Sequence, residues 1–371
     1  MKILNLSSDK AIINPQSKPA MRMVKYGSIV EKYSIIVLAS KDETVSLADN
    51  VIAYGVSGNR LSALFKMYRL AKKIIEEKDA DVITSQDPFE MAMIGLILSR
   101  KHGIGLNIQE HGDFFSAKFW RNENIKNFLR YYLGMFLIPK ADSVRAVSER
   151  IKNNLIKNLH VEERKITVVP VYVELNRPEV SGVAEIAEKL KGKTVIMTMA
   201  RLVKQKNLPL MIRSFSDLAE KSSETVLLII GKGPEKEKLK NLAKDLKQED
   251  RIIFIDWTDD IYSYYDLADI YALSSNYEGW GMVIIEAASC GLPIVITDVG
   301  CANEVIKNNE SGLIIPIGDR EKMASAMSKL ISSKELRDTL GATAKKAIIN
   351  LPDQQRTLEL YSESWQKAIK K

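Results

Sequence analysis

The sequence predicts an α/β protein made of two Rossmann-like domains that face one another across a cleft. Its 371 residues exceed what one ordinary core holds, so two domains of about 170–190 residues are expected. Short apolar runs alternate with helical patterns along almost the whole chain, which is typical of parallel sheets built from βαβ units. One charged, proline-flanked segment interrupts this alternation, and we place the linker between the domains there, at residues 173–192.

Residues 1–172 are expected to form the first domain. Short, mostly apolar runs predict its strands, which are Lys2–Leu6, Ser34–Ala39, Val51–Ala53, Asp81–Thr84, Gly105–Ile108, Ser143–Val147 and Ile166–Val169. Helices are predicted where apolar residues recur every three or four positions, at Leu61–Glu77, Phe89–Arg100 and Ile125–Ile138.

Residues 193–353 continue the alternation and are expected to form the second domain. Its predicted strands are Thr194–Met199, Thr225–Ile230, Ile252–Phe254, Ile270–Leu273, Ile294–Thr297 and Leu313–Ile315. Its predicted helices are Leu208–Glu220, Glu235–Leu246, Gly281–Cys290, Arg320–Ser332 and Glu335–Asn350. After Pro352 the pattern predicts one more helix, Gln354–Ile369, within the C-terminal segment 354–371.

Composition indicates a soluble, cytoplasmic protein. Hydrophobic residues make up 46% of the chain and charged residues 27%, which are ordinary globular values. The longest apolar runs, such as 91–98, reach about eight residues, far short of the roughly 20 that span a membrane. The N-terminus has the pattern of a strand and not of a signal peptide, and two cysteines without metal-ligand spacing fit a reducing compartment.

Positive charge is concentrated in the N-terminal half. The net charge is +7, and residues 1–172 hold 26 Lys and Arg against 18 Asp and Glu. This excess either attracts an anionic partner or membrane surface, or is a solvated basic face.

The stretch 274–286 has the clearest chemical pattern. It passes from the end of a strand through a glycine-rich turn into an apolar helix, whose free N–H groups suit an anion. Glu286 stands inside the apolar run 282–290, where a carboxylate without a partner is costly to bury. We expect it either to meet hydroxyl donors or to pair with a neighbouring Lys or Arg.

Two other segments follow predicted strands of the second half. In 200–207, Arg201 and Lys206 are placed to clamp phosphate oxygens, although a solvated loop with exposed cations is the alternative. The second segment carries Gly231 and Gly233 but a lysine at position 236, so the dinucleotide fingerprint is incomplete and a nicotinamide cofactor is disfavoured.

These three segments together resemble the donor domain of GT-B retaining glycosyltransferases of family 4 (group 1). The Glu-x7-Glu motif of that family matches Glu278 and Glu286, and the cations and the glycine loop 231–234 precede it in the family's order. The resemblance covers the whole chain, and it implies that 1–172 binds the acceptor, that 193–353 binds the donor, and that the C-terminal helix crosses back to the first domain.

The resemblance also implies roles for the donor-side residues. Arg201 and Lys206 would neutralise the diphosphate of a nucleotide sugar as negative charge develops on the leaving phosphate. The loop with Gly231 and Gly233 would contact the donor. With cations and a helix end holding the diphosphate, and no Asp-x-Asp where a metal-dependent transferase needs one, we expect no metal and no cofactor beyond the nucleotide sugar.

The same resemblance assigns the hydroxyl contacts of the donor. Glu286 would accept hydrogen bonds from the ribose hydroxyls, and Glu278 would face the donor sugar. The N–H groups near Gly281 and Met282 would meet the sugar hydroxyls and the phosphate.

In the first half, His111 follows a strand beside Gly112 and Asp113. A lone histidine is often structural, but similar enzymes place a histidine here against the donor sugar. Asp113 is expected to contact the acceptor hydroxyl or to orient the histidine. Gln86 and Asp87 end another strand and are either acceptor-side groups or, for Asp87, a helix cap. The resemblance implies retention of anomeric configuration by front-face attack, without an enzymic nucleophile.

Aromatic and basic residues are interleaved in 114–132. This composition suits an anionic membrane interface, and an aromatic core helix with basic solvent positions is the alternative. Nucleic acid is not expected, because no binding module is present and the basic excess is diffuse.

The sequence thus predicts a cytoplasmic glycosyltransferase. If it binds a membrane, we expect it to do so peripherally, at the inner face. It would transfer a sugar from a UDP- or GDP-sugar to a glycan or lipid-linked saccharide in cell-surface polysaccharide or glycoconjugate synthesis. The alternatives are another GT-B enzyme such as a nucleotide-sugar epimerase, and a catalytically silent nucleotide-sugar-binding protein.

Overall fold

The computed structural model describes residues 1–175, 183–219 and 222–370, which divide into two compact units. Unit 1 consists of Met1–Tyr172 with Pro352–Lys371, and unit 2 of Val173–Leu351. The described part of the predicted linker 173–192 belongs to unit 2, and residues 176–182 lie outside the described residues. Within the described ranges, no helix is both long enough and apolar enough to span a bilayer.

Unit 1 is built around an eight-stranded sheet. Its strands are β1 (Lys2–Ser7), β2 (Lys32–Leu38), β3 (Glu43–Ala48), β4 (Val51–Val56), β5 (Val82–Ser85), β6 (Gly105–Glu110), β7 (Ser143–Ala146) and β8 (Ile166–Val168). Their order is β3-β4-β2-β1-β5-β6-β7-β8, and all neighbours run parallel except β3 and β4. All seven predicted strands of this half are present, within a few residues at their ends.

Strand β3 was not predicted, and it is antiparallel where only parallel strands were expected. It lies at the edge of the sheet, and its residues are half-buried or exposed. A strand without a fully buried face lacks the apolar run by which its neighbours are recognised.

The helices of unit 1 are α1 (Lys18–Gly27), α2 (Arg60–Glu76), α3 (Glu90–His102), α4 (Lys118–Asn122), α5 (Ile125–Leu137) and α6 (Glu149–Leu159). The predictions for α2, α3 and α5 are confirmed. Helices α1 and α6 were missed although each has an N-cap serine: Ser17 accepts from the N–H of Ala20, and Ser148 from that of Ile151.

Unit 2 contains a six-stranded, wholly parallel sheet in the order β11-β10-β9-β12-β13-β14. The strands are β9 (Thr194–Met199), β10 (Thr225–Ile230), β11 (Ile252–Ile255), β12 (Ile270–Leu273), β13 (Ile294–Thr297) and β14 (Leu313–Ile315). The helices are α7 (Ala184–Leu190), α8 (Leu208–Ala219), α9 (Lys236–Asp245), α10 (Ile261–Asp266), α11 (Met282–Ser289), α12 (Arg320–Ser332) and α13 (Lys334–Ala347). Every predicted strand of this half is confirmed, whereas α7 and α10 were not predicted; Glu220, the predicted end of α8, lies outside the described residues.

The last helix, α14 (Gln354–Gln366), belongs to unit 1, as predicted for the C-terminal helix. Its Tyr361 and Trp365 are buried in the unit 1 core with Tyr33. Hydrogen bonds join it to the sheet: the Asn107 amide donates to the Ser364 hydroxyl at 3.0 Å. Helix α14 is therefore an integral part of the first Rossmann-like domain.

Each sheet has a switch point, where strand order reverses and parallel α/β sheets bind ligands at the strands' carboxyl ends. In unit 1 it lies between β1 and β5, and in unit 2 between β9 and β12.

Candidate active site

The loops that follow β9 and β12 in unit 2 are joined by hydrogen bonds. The backbone N–H of Asn276 donates to the carbonyl of Gln205 at 2.8 Å. The Gln205 side chain donates in turn to the carbonyl of Tyr277 at 3.0 Å. Loops 200–207 and 274–281 are thereby fixed against one another at the switch point, which is where a ligand site is expected.

Lys206 and Glu278 form an ion pair across these loops, and the Ser275 hydroxyl donates to the same carboxylate at 2.6 Å. The two side chains are only 13% and 9% exposed, so solvent and salt screen the pair weakly. Burying either charge alone would be costly, which makes each residue a positioning partner of the other. The structure thus brings together two residues that sequence analysis had assigned to different parts of the donor.

Arg201 is exposed in the same loop. Among the described residues, no carboxylate pairs with its guanidinium. The guanidinium is therefore accessible to a ligand, and its geometry suits bidentate binding of phosphate oxygens.

Gly231 and Gly233 allow loop 231–234 to pack against the loop after β9. Gly231 has a φ of +150°, and a Cβ there would lie 1.9 Å from the carbonyl oxygen of Ala200. A Cβ at Gly233 would lie 2.4 Å from the carbonyl oxygen of Leu202. Backbone packing thus already requires both glycines, and their contact with a donor stays a prediction.

Helix α11 begins directly after loop 274–281. Gly281 is its N-cap with a φ of +95°, and no side chain of the described residues caps it. Met282, its first residue, is 41% exposed. The first N–H groups of a helix have no intrahelical acceptor and favour an anion, so this end suits a phosphate or sugar oxygen.

Glu286 lies half-buried one turn along α11. The Tyr265 hydroxyl donates to its Oε2 at 3.1 Å and also approaches the carbonyl of Val283 at 3.3 Å. One of the hydroxyl donors expected for Glu286 is therefore the Tyr265 side chain, which orients the carboxylate. The contact of Glu286 with a ribose stays a prediction. Tyr265 was not predicted, although two tyrosines three positions apart in 262–265 signal a helix with one buried aromatic face.

In unit 1, the ends of β1 and β5 are linked at the switch point. The Ser7 hydroxyl donates to Oε1 of Gln86 at 2.7 Å. The Asp87 carboxyl accepts from the N–H of Phe89 at 2.9 Å, and burial raises its pKa to about 6. Phe89 stands at the N-cap position of α3 without a side-chain cap bond, and the Asp87 carboxyl binds backbone N–H groups at this helix start, as the helix-cap alternative expected.

His111 directly follows β6 and is exposed to solvent. Partial desolvation by neighbouring protein atoms and the positive charges of Arg145 and Arg22 lower the pKa of His111 below its ordinary value. The imidazole is therefore neutral at pH 7 and can both donate and accept a hydrogen bond.

Arg145 of β7 was not predicted as a site residue. It is 5% exposed and donates a hydrogen bond to Gln109 at 3.1 Å. The available signal was a single arginine in an apolar strand.

Asp113 is a buried part of the turn after His111. It has a φ of +52°, is 8% exposed, and accepts from the Asn154 amide at 3.1 Å. Burial raises its pKa. These features favour a role in shaping the turn that carries His111 over direct contact with an acceptor.

Glu110, the last residue of β6, was also missed. It is 1% exposed, and its Oε1 accepts from the N–H of Phe114 at 3.0 Å. The described residues give its Oε2 no hydrogen-bond partner. Burial, with smaller contributions from Asp113 and Asp87, raises its pKa to about 8, so the carboxyl is mostly protonated at pH 7. A glutamate ending an otherwise buried strand beside a histidine was the available signal.

The described ranges contain no group of three or more His, Cys, Asp or Glu residues arranged to hold a metal ion.

Two family models match the chain. The model for glycosyl transferases group 1 matches residues 184–347, and the model for glycosyltransferase family 4 matches residues 31–177. The chain belongs to the group 1 glycosyltransferases of family 4. It is a glycosyltransferase that uses a nucleotide sugar.

Other glycosyltransferases are similar to this one over most of their length. The capsular polysaccharide biosynthesis glycosyltransferase CapM of Staphylococcus aureus is 26% identical, over 85% of this chain and 84% of CapM. The UDP-Gal:alpha-D-GlcNAc-diphosphoundecaprenol alpha-1,3-galactosyltransferase of Escherichia coli is 25% identical, over 78% of this chain and 75% of that enzyme. The solved structure of Anabaena HepE with UDP-glucose matches with a TM-score of 0.77 over 99% of both chains, at 18% identity, and shows that this glycosyltransferase has the GT-B fold.

Proposed function

We propose that the protein is a retaining glycosyltransferase that transfers a sugar from a UDP-sugar to a glycan or lipid-linked saccharide in the synthesis of a cell-surface polysaccharide. The observation that carries the proposal is the joined pair of loops at the β9–β12 switch point. They present Arg201, the Lys206–Glu278 pair and the start of α11 on one surface. The names of CapM and of the E. coli galactosyltransferase, and the UDP-glucose bound to HepE, favour UDP over GDP and a lipid-linked or glycan acceptor.

The diphosphate would bind between Arg201 and the first turn of α11. Lys206 would give up part of its contact with Glu278 to reach a phosphate oxygen, and Glu278 would then accept from a sugar hydroxyl. Glu286, held by Tyr265, would accept from the ribose. Fixed cations and helix N–H groups at the leaving phosphate stabilise the negative charge that develops as the bond between the sugar and the phosphate breaks.

Retention would follow from attack on the same face that the phosphate leaves. In this route the leaving phosphate takes the proton of the acceptor hydroxyl. His111, neutral at pH 7, would contact the donor sugar, and Glu110, Asp113 and Arg145 would hold the turn that presents it. Proton transfer then needs no further enzymic base.

The test is to incubate the protein with UDP-, GDP- and ADP-sugars and measure nucleotide release with and without candidate saccharide acceptors. We expect acceptor-stimulated UDP release and a product whose anomeric proton shows retained configuration by NMR. Epimerisation of the donor, or binding without turnover, would contradict transfer, and an inverted product would contradict retention.

A matched pair of variants tests the part of His111. His111→Asn should lower turnover at least about tenfold, since it removes one contact to the reacting sugar. His160→Asn is the control, because His160 is exposed and has a φ of +53° that asparagine adopts readily. Equal turnover in the two variants would remove His111 from the site.

A further inference from the structure

Helix α5 exposes an apolar stripe. Ile125, Leu129 and Phe136 are 73%, 63% and 58% exposed, and Phe128 and Tyr132 between them are also exposed. Their spacing of three and four residues places them on one side of the helix. In a globular protein such a stripe normally faces the core, so the alternative of an aromatic core helix does not describe this face.

The neighbouring helices add to this face. Helix α3 packs beside both α2 and α5. Glu90 at the start of α3 binds Arg60 of α2 at 2.6 Å and Arg130 of α5 at 2.8 Å, which holds the three helices together. Pairs of apolar residues one turn apart are exposed on α2 (Leu61, Phe65) and α3 (Met93, Ile97). Of the 18 large hydrophobic residues that are exposed in the described ranges, ten lie between residues 61 and 136.

Cations accompany the apolar residues of this three-helix face. Residues 118–140 contain five Lys and Arg and one acidic residue, Glu123, and of these cations Arg130 is already paired with Glu90. Lys140 lies 3.8 Å from the centre of the Phe136 ring, and Lys126 is exposed on α5. Apolar side chains mixed with cations suit the headgroup region of an anionic bilayer, where the first enter the acyl boundary and the second bind lipid phosphate.

We propose that the three-helix face formed by α2, α3 and α5 docks on an anionic lipid bilayer. A second copy of the chain is a poorer occupant, since the cations of two such faces would meet and repel. Presentation of a lipid-linked acceptor at this bilayer rests on the proposed function, whereas the docking itself does not.

The test is flotation of the full chain with vesicles of phosphatidylcholine alone and of phosphatidylcholine mixed with phosphatidylglycerol. We expect co-flotation with the mixed vesicles at low salt, and less with added salt or with the neutral vesicles. Ile125→Ser with Leu129→Ser should lower the bound fraction at least about tenfold, because binding scales with the apolar area inserted. Lys126→Glu should lower it severalfold.

The control is Ile317→Ser with Ile349→Ser. These residues are 50% and 74% exposed in unit 2, so the pair removes comparable apolar surface away from the face. The control should float as the unsubstituted protein does. No flotation of the unsubstituted protein with anionic vesicles, or equal loss in both double variants, would overturn the proposal. So would a dimer in size-exclusion chromatography that Ile125→Ser with Leu129→Ser dissociates without changing flotation.

UDP-sugar turnover of the same variants without vesicles separates this proposal from the proposed function. Turnover with failed flotation removes the docking face alone. Flotation without turnover removes the transfer chemistry alone.

Discussion

Two cations of the loop after β9 differ in their availability to a ligand. Lys206 is paired with Glu278 and nearly buried, whereas Arg201 is exposed with no carboxylate partner among the described residues. A diphosphate can therefore bind Arg201 without displacing a protein contact, but it must compete with Glu278 for Lys206. Arg201 should contribute the larger net share of donor binding.

Arg201→Ala should reduce turnover at least about tenfold, because loss of a charge-assisted hydrogen bond costs roughly 1.5–3 kcal/mol. Lys204→Ala is a matched control, since Lys204 is an exposed cation of the same loop. Asn276 donates to the backbone carbonyl of Lys204, and this bond does not depend on the side chain that the substitution removes. Steady-state kinetics with saturating acceptor measure both variants. Comparable losses in the two would mean that general positive charge, and not a specific phosphate contact, is responsible.

Glu110 links stability to pH. Its pKa rises from 4.5 to about 8 on folding, so the native state binds the proton more tightly than the unfolded chain does. The native state therefore loses stability relative to the unfolded state as pH rises from about 4.5 to 8, and the loss is complete above the folded pKa. A permanently neutral side chain would avoid this loss.

Glu110→Gln should accordingly become more stable relative to the unsubstituted protein as pH rises between these two values, and the difference should then level off. Urea denaturation at a series of pH values measures it, and taking the difference removes the titration of groups that do not interact with Glu110. Glu249→Gln at an exposed position controls for loss of a surface carboxylate. A difference that does not change with pH would mean that Glu110 is ionised in the native state.

At the scale of elements, α14 completes the core of unit 1. Trp365 is fully buried, with its ring centre 5.8 Å from that of Tyr33 and 5.6 Å from that of Tyr361. Its indole N–H has no hydrogen-bond partner among the described residues, so Trp365 stabilises the unit by packing.

Trp365→Ala should lower the free energy of unfolding by about 3–5 kcal/mol, the usual cost of removing a large buried aromatic side chain. Trp365→Phe should cost clearly less, because it keeps most of the ring volume and removes no hydrogen bond. Urea denaturation followed by circular dichroism compares the two. A Phe variant as unstable as the Ala variant would indicate that the indole N–H is bonded after all.

The sequence predicted those elements whose burial produces a recognisable local pattern of apolar residues. Strands such as β9 and β10 are buried on both faces and appear as unbroken apolar runs, whereas the half-buried edge strand β3 has no such run. At the site, glycines and charged residues after strands were recognisable. The Lys206–Glu278 pair and the Tyr265–Glu286 bond were not, because each joins residues that only the folded sheet brings together.

At the scale of the whole molecule, the two units carry different chemistry. The positive excess of the chain belongs to residues 1–172, with 26 Lys and Arg against 18 Asp and Glu, and the rest is nearly balanced. The charge of unit 1 thus favours an anionic surface, while unit 2 carries the cations proposed to bind the donor in one loop beside the switch point. Donor binding should therefore depend on unit 2 contacts and not on the core of unit 1.

This separation predicts that UDP binding and the packing of α14 affect stability independently. A ligand held only by the native state at a hundred times its Kd stabilises by about 2.7 kcal/mol. UDP at that concentration should raise the unfolding free energy of Trp365→Ala as much as that of the unsubstituted protein, since perturbations at distant sites add. Glu286→Gln, at the proposed ribose contact, should lose part of the increment. If the increment instead shrinks in Trp365→Ala, the donor site depends on the core that α14 completes, and the two units act as one energetic body.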